Sequence, residues 1–316
     1  MSMTGLQDTP PKFTHPRLTA KGENRAWVNL KALETLWFNT GTLCNVTCAH
    51  CYIESSPTND ALAYLTHDEM AAYLDEIAQE KLATSLIGFT GGEPFMNPDM
   101  LPMLETVLAR GFEALVLTNA MQPMQRPKIR DGLLKLKETY GKRLMLRVSL
   151  DHYSEARHDE ERGPGSFAKG MEGLRWLSQN GFAIDVAGRT LWHEDEADMR
   201  KGYAALFARE GISLDTEDPA RLMLFPEMDE EADVPEITTD CWGILGVAPE
   251  SVMCASSRMV VKRKGAAKPA VLACTLLPYD ERFELGATLK DAAGAVPLNH
   301  PHCARFCVLG GGSCSG

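Results

Sequence analysis

No apolar run in these 316 residues approaches the roughly 20 positions a membrane-spanning helix needs. The start, Met1 to Pro16, is polar, carries two adjacent prolines and lacks the apolar centre of an export signal, so it reads as a loose arm. A cytoplasmic protein is the default for such a chain. Positive charge is also scarce. Thirty-two Lys and Arg face 43 Asp and Glu, a net charge of −11, which argues against a general nucleic-acid surface because phosphate binding draws on clustered Lys and Arg. There is no internal repeat, no low-complexity tract and, from Tyr52 to Asp240, no cysteine.

The cysteines that are present sit at the two ends of that gap. Without an export signal, nine thiols are better read as metal ligands than as disulfides. Cys44, Cys48 and Cys51 follow one another with three and then two residues between them. Three thiolates are one short of a tetrahedral zinc site and one short of ligating each iron of a cubane cluster. The trio therefore suggests a cluster with one iron left open. The other six, Cys241, Cys254, Cys274, Cys303, Cys307 and Cys314, fall in the last quarter and suggest a second metal site.

Between them the chain alternates. Short apolar stretches at Leu36–Thr40, Ser85–Thr90, Ala114–Thr118, Leu144–Leu150, Ala183–Ala187 and Arg221–Phe225 read as strands. Thr66 and Glu69 have capping-box spacing and open a helix to about Glu80. Asn97 with Pro98 opens another that Gly111 stops. Further helices run to Tyr140, over Ser166–Gln179, and over Asp195–Glu210. Six strands alternating with helices predict parallel βα units, whose sites lie beyond the carboxyl ends of the strands. The cysteine loop, Gly91 to Glu93, Asn119, Asp151 and Gly188-Arg189 all fall there. After Phe225 an acidic linker, Glu227 to Asp233, leads into a glycine- and cysteine-rich remainder of little apolar periodicity, which needs a staple such as a metal centre.

Cys44-x3-Cys48-x2-Cys51 after a first strand, and Gly91-Gly92-Glu93-Pro94 after a second, resemble the radical S-adenosylmethionine (SAM) superfamily over roughly residues 35–225. The resemblance implies an α/β fold: a partial (βα)6 barrel at 35–226, preceded by an arm at 1–34 and followed by a small cysteine-rich C-terminal domain at 227–316. It implies that Cys44, Cys48 and Cys51 hold a [4Fe-4S] cluster whose open iron is chelated by SAM. Reductive cleavage then yields a 5′-deoxyadenosyl radical that takes hydrogen from a substrate, with electrons from a flavodoxin- or ferredoxin-type donor. Gly91 and Gly92 would let backbone approach the SAM amino group, with Glu93 its acceptor. Asn119 and Ser149 would reach the SAM ribose and carboxylate, Asp151 a ribose or the substrate, and Arg189 the SAM carboxylate. The family usually has an aromatic residue before the third cysteine; here it is His50, with Tyr52 after.

The C-terminal cysteines are similar to auxiliary-cluster domains of the SPASM or shorter twitch type. Cys254 and Cys274, with Gly265 between them, would form the first pair, and Cys303, Cys307 and Cys314 would supply the rest. Six cysteines cannot fill two four-cysteine clusters, so one auxiliary [4Fe-4S] cluster is expected, with Cys241 a bystander or alternate ligand. A structural zinc on four of these thiolates is the competing assignment. His193, His300 and His302 read as capping or surface residues, and Trp192 as packing. The implied substrate is a small molecule or a peptide. Only about 34 residues precede the first strand, too few for a leader-binding winged helix, which tilts the expectation away from a maturase of a ribosomally made peptide. The reading from another class is a non-enzymatic iron–sulfur electron carrier.

Overall fold

The structure, a computed structural model, describes residues 11–311 apart from Met228 and Glu230. Along the chain run β1 (Trp27–Val28), β2 (Thr35–Asn39), α1 (His67–Gln79), β3 (Leu86–Thr90), α2 (Met100–Ala109), β4 (Glu113–Thr118), α3 (Gln122–Gln125), α4 (Pro127–Tyr140) and β5 (Leu144–Ser149). Next come α5 (Glu155–Arg162), α6 (Ser166–Gln179), β6 (Ala183–Arg189), α7 (Glu196–Glu210) and β7 (Leu222–Phe225). The C-terminal part holds α8 (Cys241–Leu245), β8 (Ser257–Val261), β9 (Ala270–Leu272), β10 (Glu284–Gly286), β11 (Val296–Pro297) and a π-helical turn at Cys303–Leu309.

Strands β2 to β7 lie side by side in chain order, all parallel. All five residues of β2 are buried, as in a strand covered on both faces. The Thr66–Glu69 capping box is formed in full. Two helix expectations change. Asn97 caps the turn ahead of α2 rather than the helix itself: its Oδ1 accepts from Asp99 N at 2.9 Å while its amide donates to the Thr40 and Leu65 carbonyls at 3.0 and 2.9 Å, and the helix starts at Met100 behind Asp99. The single helix expected before Tyr140 is two, because Pro127 pushes Arg126 to an extended conformation between α3 and α4.

The arm is not loose over its described part. Phe13, Ala26 and Val28 are buried, β1 pairs with β11, and buried Arg25 pairs with Glu236 at 2.5 Å. Residues 11–28 are thus stitched to the C-terminal part. That part is continuous with the barrel sheet. Strand β8 runs parallel to β2, and β9 and β10 follow antiparallel, giving the order β10-β9-β8-β2-β3-β4-β5-β6-β7.

Two apolar cores result. One fills the space between helices and sheet. The other joins Trp37 and Leu115 of the barrel to Cys254, Cys274, Leu276 and Phe306. Sharing a core in this way fixes the cysteine-rich segment over the barrel. Among the described residues no helix is long and apolar enough to cross a membrane.

Candidate functional site

The three N-terminal cysteines lie in the loop between β2 and α1. Cys44 is buried, and Cys48 and Cys51 are partly so. All three border one cavity at the carboxyl ends of the strands. Burial pushes the Cys44 thiol up to about 12 and the Cys48 thiol to about 11. Anionic sulfur there needs a cationic partner such as a metal.

Gly91 and Gly92 border the same cavity, and their lack of a side chain has a second use. A β-carbon on Gly91 would lie 2.5 Å from the Gly41 carbonyl oxygen, and one on Gly92 2.2 Å from that of Leu43. Gly92 N–H donates to Gly41 O at 2.8 Å and Glu93 N–H to Leu43 O at 3.2 Å. The glycine pair thus lets the end of β3 lie flat against the segment entering Cys44.

Glu93 is set back from the cavity wall, 1% exposed. Its carboxylate accepts from Thr118 Oγ1 (2.9 Å), Asn119 N (2.9 Å) and Phe95 N (3.2 Å). Burial lifts its pKa to about 7 against those hydrogen bonds. In this structure it braces the turn after β4, and so positions Asn119. Asn119, Ser149, Asp151 and Arg189 all border the cavity. Asn119 Nδ2 donates to Asn45 Oδ1 at 2.9 Å, joining the β4 turn to the cysteine loop.

Asp151 and Arg189 are both engaged by residues of α5 that the sequence reading passed over. Arg162 grips Asp151 through two bonds, Nε–Oδ2 2.5 Å and Nη2–Oδ1 2.9 Å. Glu161, buried, takes Arg189 Nη1 at 2.8 Å, His50 N at 2.9 Å and His50 Nδ1 at 2.7 Å. Arg189 also donates to the His50 carbonyl at 3.0 Å. The cysteine loop is therefore clamped by α5 and β6 together. Helix α5 is polar nearly throughout, so it carries no apolar period; its local signals are Ser154 at the N-cap and Gly163 behind it.

A second, smaller cavity is bordered by four cysteines, Cys254, Cys274, Cys303 and Cys307, among Met253, Leu277 and Phe283. Burial, then the neighbouring Cys274 and Cys254 sulfurs, push the Cys303 thiol well up. Buried Arg258, also not anticipated, donates to the Cys254 and Ala292 carbonyls at 2.6 and 2.8 Å. Cys241 is elsewhere, accepting from Thr238 N at 3.3 Å, and Cys314 lies outside the described residues. Among the described residues no three His, Cys, Asp or Glu side chains converge as one metal ion would require; both sulfur sets rim a void instead. His300 and His302 are not surface residues. Both are buried beside Cys303, with rings 4.6 Å apart, and burial holds both near 4.

Residues 38–201 match the radical SAM superfamily. The antilisterial bacteriocin subtilosin biosynthesis protein AlbA of Bacillus subtilis (strain 168) is 32% identical over 171 residues, 54% of this chain and 35% of AlbA. Mycofactocin maturase MftC of Mycobacterium ulcerans (strain Agy99) is 26% identical over 171 residues, 54% of this chain and 43% of MftC. The alignments thus span well under half the length of these relatives. Streptococcus suis SuiB bound to S-adenosylmethionine superposes with a TM-score of 0.60 at 10% identity, covering 83% of this chain and 65% of SuiB, a likeness of fold. With the matched region taking in half of the chain, and the Cys44 trio and Gly91-Gly92-Glu93-Pro94 both inside it, this chain belongs to the radical SAM superfamily.

Proposed function

We propose that this protein cleaves SAM reductively and uses the product to abstract hydrogen from a peptide substrate. The observation that carries the reading is the single cavity on which Cys44, Cys48 and Cys51 meet the Gly91-Gly92 backbone and the strand-end residues Asn119, Ser149 and Asp151. Three soft sulfur donors around a void suit an iron–sulfur cluster with one open iron. When bound, the reduced cluster and SAM supply one-electron cleavage of a carbon–sulfur bond and hydrogen abstraction.

The chain's own part is placement. Backbone at Gly91 and Gly92 leaves room for the SAM amino group, and Asn119 and Ser149 offer polar contacts to its ribose and carboxylate. Asp151 and Arg189 are held in place by Arg162 and Glu161. Leu276 and Phe306, both buried, shield the cavity from water on the C-terminal side. A flavodoxin- or ferredoxin-type protein supplies the electron. The names of AlbA and MftC, a bacteriocin biosynthesis protein and a maturase, support a peptide substrate; the AdoMet-dependent heme synthases that match over a similar stretch keep a small molecule as the second reading.

The four thiols around the smaller cavity are proposed to hold one auxiliary [4Fe-4S] cluster, making 227–316 a twitch-like segment on the 35–226 barrel. Four sulfurs share that wall, yet among the described residues no three converge as a single metal ion would require, which favours a cluster over a zinc ion that would draw four sulfurs to about 2.3 Å. In Cys274→Ala, iron content is expected to fall while the Cys44 cluster and some SAM cleavage persist; unchanged iron would refute the auxiliary cluster. For the activity itself, anaerobic reconstitution followed by dithionite and SAM should yield 5′-deoxyadenosine. An electron carrier with a closed cluster yields none, so no product after verified cluster loading would sink the proposal.

A further inference from the structure

Arg258 lies on β8, a strand buried along its whole length, and is itself 1% exposed. Its guanidinium is held by backbone carbonyls. Nη1 donates to Cys254 O at 2.6 Å and Ser257 O at 2.8 Å, Nε to Ala292 O at 2.8 Å, and Nη2 to Gly294 O at 3.0 Å. Carbonyls satisfy the N–H groups, but they carry dipoles and no counter-charge. Among the described residues no carboxylate pairs with Arg258. A guanidinium keeps its proton in a protein, so the cation is fixed, and a fixed buried cation without an anion is costly.

The neighbouring groups that can become anions are sulfurs. Burial pulls the Arg258 pKa below its ordinary value, and the groups acting against that are Cys254 and Cys274, two of the four cysteines around the smaller cavity. Protonated thiols give the cation nothing to balance it. Four thiolates on a [4Fe-4S] core do, because they leave a net negative site. The first site is built differently. There the Arg162 charge acts on Cys44 and Cys48 but is already matched by Asp151.

We infer that Arg258 is the fixed counter-charge of the auxiliary cluster and raises its reduction potential by favouring the reduced form. The inference rests on the auxiliary-cluster reading above and deepens it. One-electron reduction makes the site more negative by one charge, so a fixed cation beside its ligands stabilises the reduced form more than the oxidised one. The low dielectric of a buried strand leaves that attraction weakly screened.

The test is a dye-mediated redox titration of the reconstituted full chain with SAM, followed by electron paramagnetic resonance. The signal that does not respond to SAM reports the auxiliary cluster, and the SAM-responsive signal is the internal control. Arg258→Gln keeps amide donors for the carbonyls and removes the charge. Poised at the wild-type midpoint, its auxiliary cluster is expected to show a reduced-to-oxidised ratio about tenfold lower, a downward shift of about 59 mV for one electron. Arg258→Lys should keep most of the wild-type potential, and the SAM-responsive signal should move in neither variant. An unmoved auxiliary potential in Arg258→Gln overturns the inference, and so does an equal fall in Arg258→Lys or an equal shift of both signals. If Arg258→Gln does not load the second cluster, loading and potential restored in Arg258→Lys would assign the charge. Loss of loading in both would assign hydrogen bonding alone and overturn the inference. Iron in the wild type tests the underlying reading separately, two cubanes being about eight atoms per chain. About four atoms rejects the auxiliary cluster and the inference with it, whereas two clusters with an unmoved potential reject only the role of Arg258.

Discussion

In Cys48→Ala, 5′-deoxyadenosine formation is expected to fall below detection, and iron to drop by about four atoms per chain, the content of one cubane cluster. The reason is the shortage of other donors. Cys44 and Cys51 remain on the cavity wall, but two thiolates do not hold a cubane. The nearest carboxylates are committed, Asp151 to Arg162 and Glu161 to Arg189 and His50. Neither can turn to iron without leaving a buried cation uncompensated. Iron bound at Cys254, Cys274, Cys303 and Cys307 should survive, since that cavity shares no sulfur with the first. Electron paramagnetic resonance of the reduced protein reads both effects at once. A variant that loses the SAM-responsive signal yet still makes 5′-deoxyadenosine would contradict the assignment of Cys48.

Arg162→Met is expected to destabilise the protein by about 3–5 kcal/mol, the cost of breaking a buried ion pair by removing one partner. Asp151 is 2% exposed and meets the guanidinium through both oxygens. Burial by itself would raise the Asp151 carboxyl, but the Arg162 charge and hydrogen bonds outweigh it and hold the group below its usual value. A depressed carboxyl contributes stability that is present above its unfolded pKa and lost as the pH falls through its folded value. The gap between wild type and Arg162→Met should thus be widest near neutrality and shrink in acid. The double variant with Asp151→Asn should recover much of the loss, because no buried charge is then left unpaired. Urea midpoints of the metal-free, reduced proteins across that pH range measure this. A gap that does not change with pH would show that Arg162 acts through packing alone.

Both predictions turn on α5, and this helix marks where the one-dimensional reading ran out. Its residues Glu155 to Arg162 are charged or polar at almost every position, so no apolar stripe announced a helix, and nothing local tied Glu161 to His50 across more than a hundred residues. Glu93 makes the same point from the other side. The Gly91-Gly92-Glu93-Pro94 motif was legible, and it lies where a strand end was expected. That the carboxylate turns inward to the Asn119 backbone and the Thr118 hydroxyl depends on how β4 lies beside β3, which no local pattern encodes. Among the C-terminal cysteines, composition announced a second site, and only the family resemblance sorted its members, setting Cys241 apart as a bystander or alternate ligand. The folded chain is what brings Cys254 and Cys274 to Cys303 and Cys307.

The sequence by itself determined the alternation of six strands with helices, because burial on a sheet or a helix face imposes a period that can be counted. It also determined the cysteine trio, because sulfurs on residues four and then three positions apart cannot be far apart in space. Only the tertiary structure decided which charges meet. Arg162 finds Asp151, Arg189 finds Glu161, and Asp185 is shared between Arg147 and Arg221. It also decided that residues 11–28 and 257–286 close over the barrel instead of standing apart. Those pairings join residues distant in the chain, where the gain comes from desolvation and Coulomb attraction in the assembled interior, and neither quantity exists until the fold has formed.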